Sequence, residues 1–213
     1  MKKKNIIGYG AGGHAGVLID ILEDNKEFKI IGLIDNINKK KVHGFKILGN
    51  DNELGNIIKK GIKNVFFGIA GIKNVKRNIK LYNKLESLGF NIVNIIHKSS
   101  IISKTTKMGK SIKIFPGVKV NSNVKFGKNV LLNTGCIIEH DCVIGDHAQI
   151  GPGAYLGGGV KVKKGSFIGL GARINQQLII EENSIVGSGS VVTKNIKKNS
   201  IVAGVPARNI KKT

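Results

Sequence analysis

The sequence predicts an α/β domain with a parallel sheet followed by a parallel β-helix. Strand-like and helix-like segments alternate over roughly the first hundred residues, and an apolar residue then recurs at every sixth position almost to the end. Composition agrees: 29 glycines among 213 residues, with only 5% aromatics, suit tight repeated turns better than packing of large side chains.

In the first half, KNIIG (residues 4–8) reads as a buried strand, followed by the glycine-rich turn GYGAGGHAG and a helix over VLIDILED. Strand KIIGLID, ending at Asp35, precedes a helix in NDNELGNIIKKG; strand NVFFGIA, helix KNVKRNIKLYNKLESLG and strand NIVNII complete the alternation. This is a Rossmann-like order. Gly8, Gly10 and Gly13 fit G-x-G-x-x-G, with Asp35 where a ribose-binding acid lies, a pattern that by itself points to a dinucleotide. The domain, residues 1–97, has room for one mononucleotide half only. A nucleotide sugar, its phosphates at the turn and helix N-terminus, fits that room better.

The second domain, residues 98–213, carries the repeat. Stepping by six from Ile102 through Met108, Ile114 and onward to Val192 meets only apolar residues. Four positions later the residue is small or short, as at Val118, Cys136, Cys142 and Ala154, with Leu178 the bulky exception. Glycine often follows the leading apolar residue. Each hexad is thus one short strand and one corner, and three hexads close a coil of 18 residues, stacked about 4.8 Å from the next.

Charge and cysteine content narrow the function. The net charge of +22 comes almost wholly from lysine, since arginine occurs only at Arg77, Arg173 and Arg208. Lysines spread along the chain without aromatic stacking partners do not predict nucleic-acid binding. No apolar run is long enough for a membrane helix, and the basic N-terminal tip lacks a signal-peptide core. Cys136 and Cys142 have neither metal nor redox spacing and fall on inward positions. A reduced, cytoplasmic protein is expected. With only His140 and His147 inside the repeat, no three-histidine metal site is expected either.

Within the run LLNTGCIIEHDCVIGD, Glu139-His140-Asp141 interrupts the repeat with ionisable groups. His140 is third in its hexad, so its side chain should point outward near a strand end, and Gly158 lies one coil further on. His14 is read either as touching a ligand or as capping the helix. His97 is read as a junction residue, and His43, in a loop, carries no signal.

Three stretches together, GYGAGGHAG with Asp35-Asn36, LLNTGCIIEHDCVIGD and the tail IVAGVPARNIKK, resemble the hexapeptide-repeat sugar O/N-acetyltransferases of the NeuD/PglD type. These include the bacillosamine-pathway and perosamine N-acetyltransferases and the sialic acid O-acetyltransferases. The resemblance implies a left-handed β-helix and a homotrimer with acetyl-CoA between neighbouring subunits. It implies His140 as general base, supported by Asp141 where the bacillosamine enzyme typically has Glu, with Asn133 beside the site. Gly12, Gly13, His14, Asp35, Asn36 and Gly71 match nucleotide-sugar positions, and Leu170 and Ser188 match acetyl-CoA contacts. Gln149 stands where the bacillosamine enzyme has a histidine touching acetyl-CoA; the neighbouring His147 is not the aligned residue.

The counting of coils leads independently to the same place. A backbone N–H at Gly158, uncrowded by a side chain, would face a thioester oxygen held near His140 and stabilise the developing oxyanion. The expected reaction is direct acetyl transfer from acetyl-CoA to a nucleotide-linked 4-amino-4,6-dideoxy sugar, feeding surface glycans, since neither cysteine faces outward as a nucleophile. O-acetylation of sialic acid is the alternative within the family. A structural β-helix without activity is the alternative outside it, although such proteins carry uniform outward ladders and the outward positions here are mixed. Asp35 and Asn36 suit ribose or base edges alike, so the nucleotide stays open.

Overall fold

The computed structural model describes residues 3–37, 39–71 and 75–212, and divides the chain into two compact units, Met1–Ile95 and Ile96–Thr213. In the first unit, parallel strands β1 (Lys4–Tyr9), β2 (Phe28–Ile34), β4 (Phe45–Gly49), β5 (Asn64–Phe67) and β6 (Asn91–Ile92) stand in the order β4-β2-β1-β5-β6. A short β3 (Lys41–Val42) pairs antiparallel with β4 at the edge. Helices α1 (Gly13–Asp24), α2 (Leu54–Lys59) and α3 (Val75–Ser87) connect the strands. The central strand is apolar on both faces: Ile6 and Ile7 are fully buried, as expected where helices cover a parallel sheet.

Several boundaries differ from the sequence reading. Helix α1 starts at Gly13 rather than Val17, so the second half of the glycine turn is already helical. The expected helix at residues 50–61 splits into a 3-10 turn at Asp51–Glu53 and a short α2, with the Asn50 side chain capping the turn through the Asn52 N–H. The first two residues of the expected helix from Lys73, Lys73 and Asn74, lie outside the described residues. Strand NIVNII is broken: Asn91–Ile92 and Ile95–Ile96 are separate strands. The β3–β4 hairpin was not anticipated. Its signal was present, since His43-Gly44 both take positive φ (47° and 79°) in a two-residue connection.

The second unit is a left-handed parallel β-helix of two-residue strands. Register confirms the 18-residue coil: Lys119, Ile137, Tyr155, Arg173 and Val191 stack in line. Three faces result. The first holds Ile101–Ile102 to Val191–Val192, the second Lys125–Phe126 to Ile179–Ile180, the third Lys113–Ile114 to Ile185–Val186. From Ile114 to Val192 every leading apolar residue is buried, and Cys136, Cys142, Ala148, Ala154 and Ala172 pack between them. Each buried Ile, Leu or Val contributes roughly 1.5–3 kcal/mol. Met108 departs from the pattern: it is exposed, because its coil is the first and has none before it.

The corners explain the rest of the sequence bias. From Ser111 to Gly189 one residue per corner is left-handed, and Asn123, Asn129, Asp141, His147, Gln177, Asn183 and several glycines occupy these positions. Strand Ser200–Gly204 then pairs with Ala207–Lys212 to finish the last coil as a hairpin.

Candidate active site

His140 and Asp141 lie at the corner between the first and second faces. The carboxylate Oδ2 of Asp141 is 2.8 Å from His140 Nδ1, and both side chains are more than half exposed. Hydrogen bonds from His140 and then Asn123 hold the Asp141 carboxyl below the usual carboxylate range, so it is ionised at neutral pH. An ionised carboxylate only accepts, so Nδ1 carries a proton, and in the neutral imidazole it is Nε2 that presents the lone pair.

Gly158 sits one coil further on against that imidazole. A Cβ built at Gly158 would fall 2.6 Å from Nε2 and 2.7 Å from Cε1, so only glycine leaves the ring its place. The Gly158 carbonyl accepts from Gln177 N–H, and Gly159 N–H donates to the His140 carbonyl, while the Gly158 N–H has no partner among the described hydrogen bonds. Asp141 also lines an open recess of about 400 Å³ with Thr105, Lys107, Asn123, Lys125 and Val143, whose two lysines make it attractive to anions.

Glu139 is engaged by other partners. Its Oε1 accepts from Tyr155 Oη at 2.9 Å and its Oε2 from Asn121 Nδ2 at 2.9 Å. Of the two carboxylates flanking His140, Asp141 alone reaches the ring. Tyr155 was not foreseen. Cys142 points inward, its Sγ 3.3 Å from the Gly157 carbonyl; burial pushes its thiol up to about 11 and that of Cys136 up to about 12, so neither is a thiolate nucleophile.

The remaining positions from the sequence fall on another edge of the prism. Asn133 lies at the corner between the third and first faces, where its Oδ1 accepts from Thr134 N–H; no described hydrogen bond joins it to His140. Leu170 and Ser188 stack at that same corner in later coils, Leu170 exposed by 58%, and Gln149 leads into it from the third face.

The first unit carries its own cluster, at the C-terminal ends of β1, β2 and β5, where strand order reverses and α/β sheets bind ligands. Gly10 is left-handed at φ +103°, and the adjacent Ala11 N–H donates to Asp35 Oδ2 at 2.7 Å. Gly12 caps α1, and neither Gly12 nor Gly13 would bring a Cβ within 4 Å of another atom, so open space lies over them. His14 is in the first turn of α1, Asn36 is exposed after Asp35, and Gly71 is left-handed at φ +109° after β5. Nearby, Tyr9 Oη donates to Asp51 Oδ1 at 2.8 Å and Asp51 pairs with Lys84 at 2.7 Å, a network not read from the sequence. Burial, then the Asp51 carboxylate, raises the Tyr9 hydroxyl above its usual range. Among the described residues no group of three or more His, Cys, Asp or Glu is placed to hold a metal.

Comparison with known proteins follows the same division. Residues 5–85 match the PglD N-terminal domain, and residues 123–158 and 141–176 match the bacterial transferase hexapeptide. The chain is similar to PerB from Caulobacter crescentus, solved with CoA and GDP-perosamine, at 31% identity over 97% of each chain, TM-score 0.91. A mutant of perosamine N-acetyltransferase from the same organism matches at 30% identity over 98% of this chain and 97% of that one, TM-score 0.92. It is also similar to the acetyltransferase domain of PglB from Neisseria gonorrhoeae, solved with acetyl coenzyme A, at 25% identity over 98% of this chain and all of that one, TM-score 0.90. WeeI from Acinetobacter baumannii is 28% identical over 97% of this chain and all of that one, TM-score 0.84. No curated protein matches the sequence.

Proposed function

The chain belongs to the NeuD/PglD-type family of hexapeptide-repeat sugar acetyltransferases, and from that premise we propose that it acetylates the amine of a nucleotide-linked 4-amino-4,6-dideoxy sugar. It is an acetyl-CoA-dependent enzyme. The observation that carries the finer reading is the His140–Asp141 pair with Nε2 open beside Gly158. The complex of perosamine N-acetyltransferase with CoA and GDP-perosamine supports an amine acceptor of this class.

The transfer is a direct one. The acceptor nitrogen attacks the thioester carbonyl carbon while His140 Nε2 takes its proton, and the Asp141 carboxylate stabilises the imidazolium. Gly158 N–H donates to the carbonyl oxygen as it becomes an oxyanion. Collapse of the tetrahedral species expels the CoA sulfur, which takes the proton back from His140, leaving an amide and free CoA. The buried, protonated cysteines leave no thiolate for an acyl-enzyme route.

The assembly is a homotrimer with acetyl-CoA between subunits. Its support is the placement of the two sets of residues: His140, Asp141 and Gly158 on one corner of the prism, Gln149, Leu170 and Ser188 along another. A threefold arrangement sets one corner of each chain against the other corner of its neighbour. The first unit supplies acceptor binding through Gly12, Gly13, His14, Asp35, Asn36 and Gly71, with the acceptor's phosphates over the open glycines. A cytoplasmic site of action, where acetyl-CoA is available, fits two free buried cysteines.

Thiol release from acetyl-CoA, measured with UDP-, dTDP- and GDP-linked 4-amino sugars and with free sialic acid, tests this reading. Release with one amino-sugar nucleotide, lost by about 10²-fold or more in His140→Ala, is the expected result. Release with sialic acid alone would transfer the reading to O-acetylation. No release from any acceptor, with acetyl-CoA binding also absent, would leave a structural β-helix.

A further inference from the structure

We propose that His43 positions the acceptor-binding turn, acting through the Gly12 carbonyl; this rests on the reading that the turn from Gly10 to Gly13 holds the nucleotide. His43 is at the tip of the β3–β4 hairpin, and its Nε2–H donates to Gly12 O at 3.1 Å. The same carbonyl accepts the first helical bonds of α1, from Ala15 N–H at 3.0 Å and Gly16 N–H at 3.3 Å. The imidazole therefore joins the hairpin to the one group that defines where the turn ends and the helix begins.

Two locally unfavourable residues fit only each other. His43 is left-handed at φ 47°, a conformation in which Asn or Gly is the ordinary choice for such a hairpin. Gly16 lies inside α1, where glycine weakens a helix relative to alanine. A Cβ at Gly16 would fall 2.9 Å from His43 Cε1 and 3.1 Å from Nδ1, so the missing side chain is the seat of the ring. Neither choice is explained by hairpin or helix alone.

The turn is thereby held from two sides. Asp35 at the end of β2 accepts Ala11 N–H, and His43 from the hairpin donates to Gly12 O. The side over Gly12 and Gly13 stays open. A turn whose N–H groups are fixed before binding loses less freedom when an anion arrives. His43 is in this sense a positioning residue, since its described hydrogen bond goes to the turn.

The test uses the full chain, with acceptor kinetics and calorimetric binding of UDP, dTDP and GDP. His43→Asn keeps a residue suited to positive φ but is too short to reach Gly12, and Gly16→Ala displaces the ring while sparing His43. Each should raise the acceptor KM, and the Kd of whichever nucleoside diphosphate binds wild type, by about five- to tenfold. The kcat, the KM for acetyl-CoA and the melting temperature should stay near wild type. His43→Gln, which keeps a donor of similar reach, should recover part of the loss. Wild-type-like acceptor KM in both His43→Asn and Gly16→Ala, with wild type binding a nucleoside diphosphate, would overturn the role of His43 alone. Failure of wild type to bind any of the three would overturn the reading of the turn, and this inference with it.

Discussion

The His140 imidazole occupies the space a side chain at Gly158 would fill, with Nε2 at 2.6 Å from an idealised Cβ. Residues one coil apart are thus chosen together: one supplies the base, and the other supplies room for it beside its own N–H. Gly158→Ala should displace the ring from Asp141 and crowd the N–H at once, lowering kcat by about 10²-fold. The nearest atoms belong to a movable, exposed side chain, so the melting temperature should change little. Activity within twofold of wild type would sink the pairing.

Asp141 is left-handed at φ 60°, stacked in a column with Asn123 before it and Gly159 after it. Aspartate and asparagine tolerate that conformation better than longer residues. This gives a backbone reason for Asp141 where the resemblance to the bacillosamine enzyme leads one to expect Glu. Asp141→Asn keeps the backbone and a carbonyl for Nδ1–H but loses the charge; kcat should fall about tenfold to a hundredfold, less than in His140→Ala. Asp141→Glu should cost about 1 kcal/mol in stability, measured by denaturant unfolding, because glutamate fits the left-handed corner less well. Equal stability would remove the conformational explanation.

Glu139 offers the contrast. Both of its oxygens are held, by Tyr155 and Asn121. Glu139→Gln should lose one of these bonds and about 1 kcal/mol of stability, with kcat within about threefold of wild type. A drop of 10²-fold would give Glu139 a part in the chemistry and reopen which carboxylate serves His140.

The parts legible in the sequence were those governed by local or strictly periodic rules. The inward position of Ile114 through Val192 follows from a six-residue count, and the outward His140 with Gly158 beside it follows from the same count plus 18. Met108 failed because periodicity carries no information about where stacking begins. Tyr155 was missed because an outward aromatic has no meaning until Glu139 is placed 16 residues earlier on the adjoining coil. His43 was missed for a similar reason: Gly12 and Gly16 are about thirty residues away, and only the edge position of the hairpin brings them together. Lys113 was counted among lysines spread along the chain, with nothing to mark it as buried, yet it is 3% exposed.

That lysine leads to the last prediction. Lys113 Nζ donates to Asn129 Oδ1 at 2.6 Å, which leaves Asn129 Nδ2 to donate to His147 Nδ1 at 2.9 Å. His147 Nδ1 must then be unprotonated, and the folded state holds a neutral imidazole. Burial, reinforced by Lys128, Lys164 and Lys113, pushes His147 down to about 4, and burial pushes Lys113 down to about 7. Both groups bind protons more tightly in the unfolded chain, so stability should rise with pH between about 4 and 6.5 through His147 and between about 7 and 10.5 through Lys113. Other groups titrate over the same range, so the comparison is with variants. His147→Asn, suited to the left-handed corner at φ 60°, should flatten the acid limb of melting temperature against pH. Lys113→Met, similar in length and uncharged, should flatten the alkaline limb and raise the melting temperature at pH 7 by a few degrees, about 2–4 °C. If Lys113→Met reproduced the wild-type alkaline rise, the buried lysine would not be its source.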